Sequence, residues 1–177
     1  GGTGPVSPVG INLPNEQSIR EQHGTKSVLL NNIQDAIDKS SGIALTREFA
    51  WDDEDVQNQE RYGTLANNLH TAMHEVIGHG SGKASPKLKG RDPSDFLPGY
   101  YSTLEEARAD LVALWNAWDP KLVDIGIAKD LAEARKIGET MFQRQVRTAL
   151  NQLRRIGDSE QLEQDHLKNR QMIIHYI

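Results

Sequence analysis

Near the middle of the chain, His74-Glu75-Val76-Ile77-Gly78-His79 brings two imidazoles and a carboxylate within a turn or two of helix. Neutral imidazole is a zinc ligand and a neighbouring carboxylate can take a proton from water, so the chemistry on offer is metal-assisted hydrolysis. Where two histidines stand four apart on a helix they share a face, and the intervening glutamate acts as base. Here they stand five apart. At about 100° per residue, positions four apart lie about 40° from one another around the helix, whereas positions five apart lie about 140° from one another. A regular helix would aim the two rings to different sides. The extra residue is absorbed most simply by a one-residue widening of the helix, and Gly78 has the backbone freedom for it.

A catalytic zinc takes three protein ligands and keeps one position open. The chain has no cysteine, which excludes a thiolate site, a disulfide framework and a thiol nucleophile, and makes a His-His-Glu set the natural choice. The third ligand must come from another segment. Leu104-Glu105-Glu106-Ala107-Arg108-Ala109-Asp110 opens a later helix, where Glu106 and Asp110 share a face. Metal-bound histidines usually donate their second ring N–H to a carboxylate, a part that Glu105 and Asp110 can play for the two histidines. With zinc lowering the pKa of its bound water, Glu75 would take the proton and return it to a leaving amine, hydrolysing a peptide bond. Competing readings exist for several residues. His70 stands four before His74, the regular spacing for a pair on one face, but no Glu follows it. Ser102 and Glu105 have capping-box spacing. Asn12 and Asn15 flank Pro14 and suit a turn or a cap.

The elements that must position these residues are mostly helical. Residues 1–8 are rich in Gly and Pro and read as an irregular start. Short strands are predicted at Val9–Leu13 and Lys26–Leu30, with a brief helix capped by Asn15 between them, and a helix over Asn31–Ser41 that stops at Gly42. Asp52–Asp55 reads as a solvated turn. Apolar residues from Leu65 to Ile77 recur at helical spacing. A Pro- and Gly-rich loop over 83–99 separates that helix from one starting near Ser102, on which Trp115 and Trp118 fall near the apolar face as core residues. Two further amphipathic helices are predicted, from about Ala128 to Ile156 and from Ser159 to the end. The fold class is therefore mostly α, a helical catalytic domain with a small extended or β N-terminal portion.

The 177 residues suit one domain, and 37% hydrophobic with 25% charged residues describes a polar globular chain. No apolar run is long enough to span a membrane, and no leader pattern opens the chain. A net charge of −5 with no basic stripe argues against nucleic acid as a partner.

The His74–His79 segment, continued as Gly80-Ser81-Gly82-Lys83, and the Glu105–Asp110 segment are similar to the two signature motifs of the dipeptidyl-peptidase III family. Val9-Gly10-Ile11-Asn12-Leu13-Pro14-Asn15 resembles that family's substrate strand, and Asp165-His166-Leu167-Lys168-Asn169-Arg170 its catalytic-histidine segment, all in family order. The resemblance implies that His74, His79 and Glu106 hold one zinc ion, that Glu75 activates water, and that Glu105 and Asp110 support the ligands. It also implies that Asn12 and Asn15 hold the free amino end of a peptide lying beside Val9–Ile11, that His166 stabilises the oxyanion and that Arg170 contacts substrate. The implied activity is release of dipeptides from the N-terminus of short peptides, in the cytoplasm. Asp110 stands where many relatives have Glu, and Ala107 where Cys is common. Family members are several times longer and two-lobed. Residues 1–177 thus resemble the central catalytic part alone, with a second lobe missing. A non-catalytic metal-binding or peptide-interaction module, inactive as a fragment, is the alternative.

Overall fold

The computed structural model describes residues 10–14, 16–154 and 165–176. Strand β1, Gly10–Leu13, pairs antiparallel with β2, Lys26–Leu29, placing Ile11 opposite Val28 and Asn12 opposite Ser27. Helix α1, Gln17–His23, connects them. Its N-cap position is Glu16 and carries no side-chain cap; Asn15 lies outside the described residues.

The remainder is helical. Helix α2, Asn31–Ile37, does not stop at Gly42: it widens into a π-helical turn over Asp38–Gly42 and continues as α3, Ile43–Phe49. Helix α4, Asp53–Ala72, starts well before the first residue of its apolar stripe. Asp52 is its N-cap, its side chain accepting the Asp55 N–H at 2.8 Å, and three acidic residues fill the first turn, where the helix dipole favours them. The expected solvated turn is instead a helix start, and Asp55, only 2% exposed, is paired with Arg147 in the interior. Helix α5 covers Tyr101–Asn116, α6 Lys121–Asp124, α7 Leu131–Arg154 and α8 Asp165–Tyr176. Helix α7 begins a few residues later than its periodicity indicates because Asp130 caps it, accepting from the Glu133 N–H at 2.8 Å.

Helix α4 packs along α7, and α5 is held between the end of α4 and α8. The core is built from Tyr62, Ala66, Met73, Ala113, Ala117, Ile137 and Met141, so alanines let the helix axes approach closely. Helix α5 turns its small residues Ala107, Ala109 and Ala113 inward. Leu111 and Trp115 consequently face out, and Trp115 is 83% exposed, with Trp118 half-exposed. The expectation that these tryptophans belong to the core is overturned by the small-residue face, which wins the packing. Among the described residues no helix is long and apolar enough to cross a membrane.

Candidate metal centre

Helix α4 passes directly into a π-helical segment over Met73–His79, the local widening that the five-residue spacing demands. The widening brings the His74 and His79 rings to one side, 4.7 Å apart between centroids and nearly perpendicular. Gly78 does not adopt a left-handed conformation there. Its lack of a side chain serves the close approach of Ala109 on α5.

Each imidazole is oriented by a carboxylate. His74 Nδ1 lies 2.7 Å from Asp110 Oδ1, and His79 Nδ1 lies 3.1 Å from Glu105 Oε1. Both Nε2 atoms are thereby turned to Glu106, at 3.3 Å from Oε2 for His74 and 3.7 Å from Oε1 for His79. One ligand atom from each of His74, His79 and Glu106 lies within 4.8 Å of the others. Glu106 Oε2 is buried and makes no well-directed hydrogen bond among the described residues, so its approach to His74 is electrostatic, and a lone pair remains for a cation. Two imidazole nitrogens and a carboxylate, with both second ring nitrogens engaged, suit zinc.

The electrostatics are those of a site prepared for positive charge. Burial alone would depress the His74 pKa, but Asp110 and Glu106 outweigh it and push it up to about 10. Burial likewise opposes ionisation of Asp110, yet His74 and His70 hold it down at about 2. Glu106 is held below its usual range by His74 and His166 against the cost of burial. For Glu105, burial is overcome by His79 and Arg108, which hold it far below the carboxylate range. Glu75 alone among these carboxylates is shifted upward, chiefly by burial.

The residues expected at the site are distributed as follows. Asn12 is buried, and its Nδ2 donates to the Glu75 carbonyl at 2.9 Å and to Ser27 Oγ at 2.7 Å, fastening β1 to the π segment. His166, on the exposed side of α8, puts Nδ1 3.3 Å from Glu106 Oε2. Arg170 is turned inward, with Nη1 donating to Gln152. Glu105 does not form a capping box: α5 starts at Tyr101 with no side-chain cap, and the Glu105 carboxylate receives Arg20 at 3.2 Å and Arg108 at 2.7 Å as well as His79. His70 is buried with Nε2 3.6 Å from Asp110 Oδ1, too far for a hydrogen bond, and burial lowers its pKa to about 4. The rings of His70 and His74 are 6.1 Å apart, and it is His79 that joins His74 in facing Glu106.

Two contributors were not visible in the sequence. Arg20, from α1, also donates to the His79 carbonyl at 2.9 Å, and Asn169, from α8, donates to Asp110 Oδ2 at 2.6 Å. Neither has a spacing that marks it, because each partner lies in a distant segment.

A family model, Peptidase family M49, matches residues 3–92, just over half of the chain. The chain belongs to peptidase family M49. The M49 match includes β1 and the His74–His79 segment, while the Glu105–Asp110 segment lies beyond it. A dipeptidyl peptidase 3 from Nematostella vectensis is 24% identical over 135 residues, covering 74% of this chain and 17% of that protein. A protein named Nudix hydrolase 3 from Arabidopsis thaliana is 31% identical over 115 residues, covering 60% of this chain and 14% of that protein. The solved structure of DPP III from Caldithrix abyssi superposes with a TM-score of 0.67 at 23% identity, covering 97% of this chain and 30% of that one, so the two share a fold over nearly all of this M49 chain. The chain therefore spans under a fifth of the length of these curated relatives.

Proposed function

We propose that this M49 chain is the zinc-holding subdomain, residues 1–177, of a two-lobed cytoplasmic exopeptidase that releases dipeptides from the N-terminus of short peptides. The observation that carries the proposal is the convergence of His74 Nε2 and His79 Nε2 on Glu106 while Asp110 and Glu105 occupy their Nδ1 atoms. The dipeptidyl peptidase 3 relatives support the reaction class.

His74, His79 and Glu106 would hold the ion, which when bound supplies Lewis acidity to polarise the scissile carbonyl and to acidify water. Glu75 is the base: the burial that raises its pKa brings it toward values at which it accepts a proton from water and returns it to the leaving amine. Gly10 lies so close to Glu75 that a Cβ on it would meet Glu75 Cγ at 2.7 Å, so the first residue of β1 rests on the base. The described sheet has two strands, and β1 pairs only with β2 in it. A peptide added as a further strand along β1 would run beside Glu75. Asn12, with Asn15, is assigned to the peptide's amino end and His166 to the developing oxyanion; the substrate contact assigned to Arg170 requires its inward-turned guanidinium to leave Gln152.

The test combines metal analysis with one substitution. After reconstitution the purified chain should hold one zinc, and Glu75→Gln in the full-length enzyme should retain that zinc while hydrolysis falls by roughly 10²–10⁴-fold. Absence of stoichiometric zinc, or undiminished turnover, overturns the reading. The second reading is a non-catalytic metal-binding or peptide-interaction module, inactive as an isolated fragment. Peptide affinity without turnover by this chain, beside an active full-length relative, would establish it.

A further inference from the structure

Asp110 uses both carboxylate oxygens. Oδ1 receives His74 Nδ1 at 2.7 Å, and Oδ2 receives Asn169 Nδ2 at 2.6 Å. Asn169 is 0% exposed, the most deeply buried polar group of α8. Its own Oδ1 has no hydrogen-bond partner among the described residues. A buried amide with its acceptor unused is costly relative to an apolar side chain of similar volume, so packing alone does not account for asparagine at this position. What distinguishes it from leucine is the N–H donor, and that donor is spent on Asp110.

The need for such a donor follows from side-chain length. Aspartate has one methylene fewer than glutamate, and its carboxylate must reach His74 from α5 without the play of a longer chain. Helix α8 is drawn against α5 at a second point as well, where Thr103 Oγ1 donates to Asp165 Oδ1 at 2.7 Å. With the start of α8 fixed in this way, Asn169 meets Asp110 one turn further along.

We propose that Asn169 is a positioning residue of the metal centre, its amide holding Asp110 in the rotamer that keeps His74 Nε2 turned to Glu106. The proposal rests on the metal-centre reading and concerns α8, which contributes none of the three ligands. Removing the carboxylate that holds a ligating histidine usually weakens metal binding 10–100-fold, and Asn169 acts one hydrogen bond further out, so its loss falls at the low end, about tenfold.

The experiment measures zinc affinity by competition with a chromophoric chelator, alongside thermal denaturation of the metal-free chain. Asn169→Leu should bind zinc about tenfold more weakly while remaining folded. In an Asp110→Asn background the same substitution should change zinc affinity by less than about threefold, because its effect passes through Asp110. A structural role would give the same loss in both backgrounds, and that result overturns the proposal. Equal zinc binding by Asn169→Leu and the unaltered chain also overturns it, and leaves the metal centre standing. If the unaltered chain binds no zinc, the metal-centre reading falls and this proposal with it. Should Asn169→Leu fail to fold, the smaller Asn169→Ala carries the same expectation and the same criterion.

Discussion

Gly78 lies against Ala109 so closely that a methyl group on it would stand 2.8 Å from both the Cα and the Cβ of Ala109. Two helical backbones touch at this point, one carrying His74, Glu75 and His79, the other Glu105, Glu106 and Asp110. The distance between ligands is therefore set by a glycine.

Gly78→Ala should push the two backbones apart. Overpacking of this kind costs roughly 1–3 kcal/mol, which urea denaturation of the metal-free chain would read. Zinc affinity should fall alongside stability, since Glu106 moves with α5. Undiminished zinc binding would mean that the contact does not set the ligand spacing.

Glu105→Gln should weaken zinc binding by about 10–100-fold by releasing His79 from its carboxylate. It also leaves the buried Arg20 guanidinium facing a neutral amide, so the thermal midpoint of the metal-free protein should drop. Calorimetry with and without zinc separates the two effects.

Binding and stability should respond to pH in opposite directions. In the metal-free protein the His74 pKa is raised to about 10, above an unfolded value near 6.5. The ionic contacts of protonated His74 with Asp110 and Glu106 are fully present below pH 6.5, and their contribution to stability is lost as pH rises toward 10. Zinc requires the neutral ring, so apparent zinc affinity should increase about tenfold per pH unit across the same window. Titrations at pH 7, 8 and 9, with thermal melts of the metal-free chain at each, would check both signs.

Asp55→Ala should be among the most destabilising single substitutions in α4. It strands the buried Arg147 guanidinium, a loss of roughly 3–5 kcal/mol. Replacing Asp55 and Arg147 together by apolar residues of similar size should restore much of that stability, as measured by chemical denaturation.

The helical character of the chain, the two short strands and the π-helical widening were all legible, because each follows from local periodicity or from the five-residue separation of His74 and His79, whereas the pairing of the strands was not. The pairing of each imidazole with one of two neighbouring carboxylates was legible for the same reason: Glu105 and Asp110 fall on one short motif. What local pattern does not carry is which side of an element meets a distant partner. Asp55 looked like surface because its partner Arg147 is 92 positions away. Trp115 has the hydrophobicity of a core residue, whereas the small alanines of α5 determine which face is buried and leave it exposed. Arg20 and Asn169 are single residues without a pattern around them, and only the approach of α1 and α8 gives them their targets.

His74, His79 and Glu106 sit on two helices consecutive apart from short helical turns, whereas the amide that steadies Asp110 arrives 59 positions after it. On a chain emerging from the ribosome, all three ligands are therefore synthesised well before α8. Assembly of the three candidate ligands and fixing of Asp110 are thus separable steps in time.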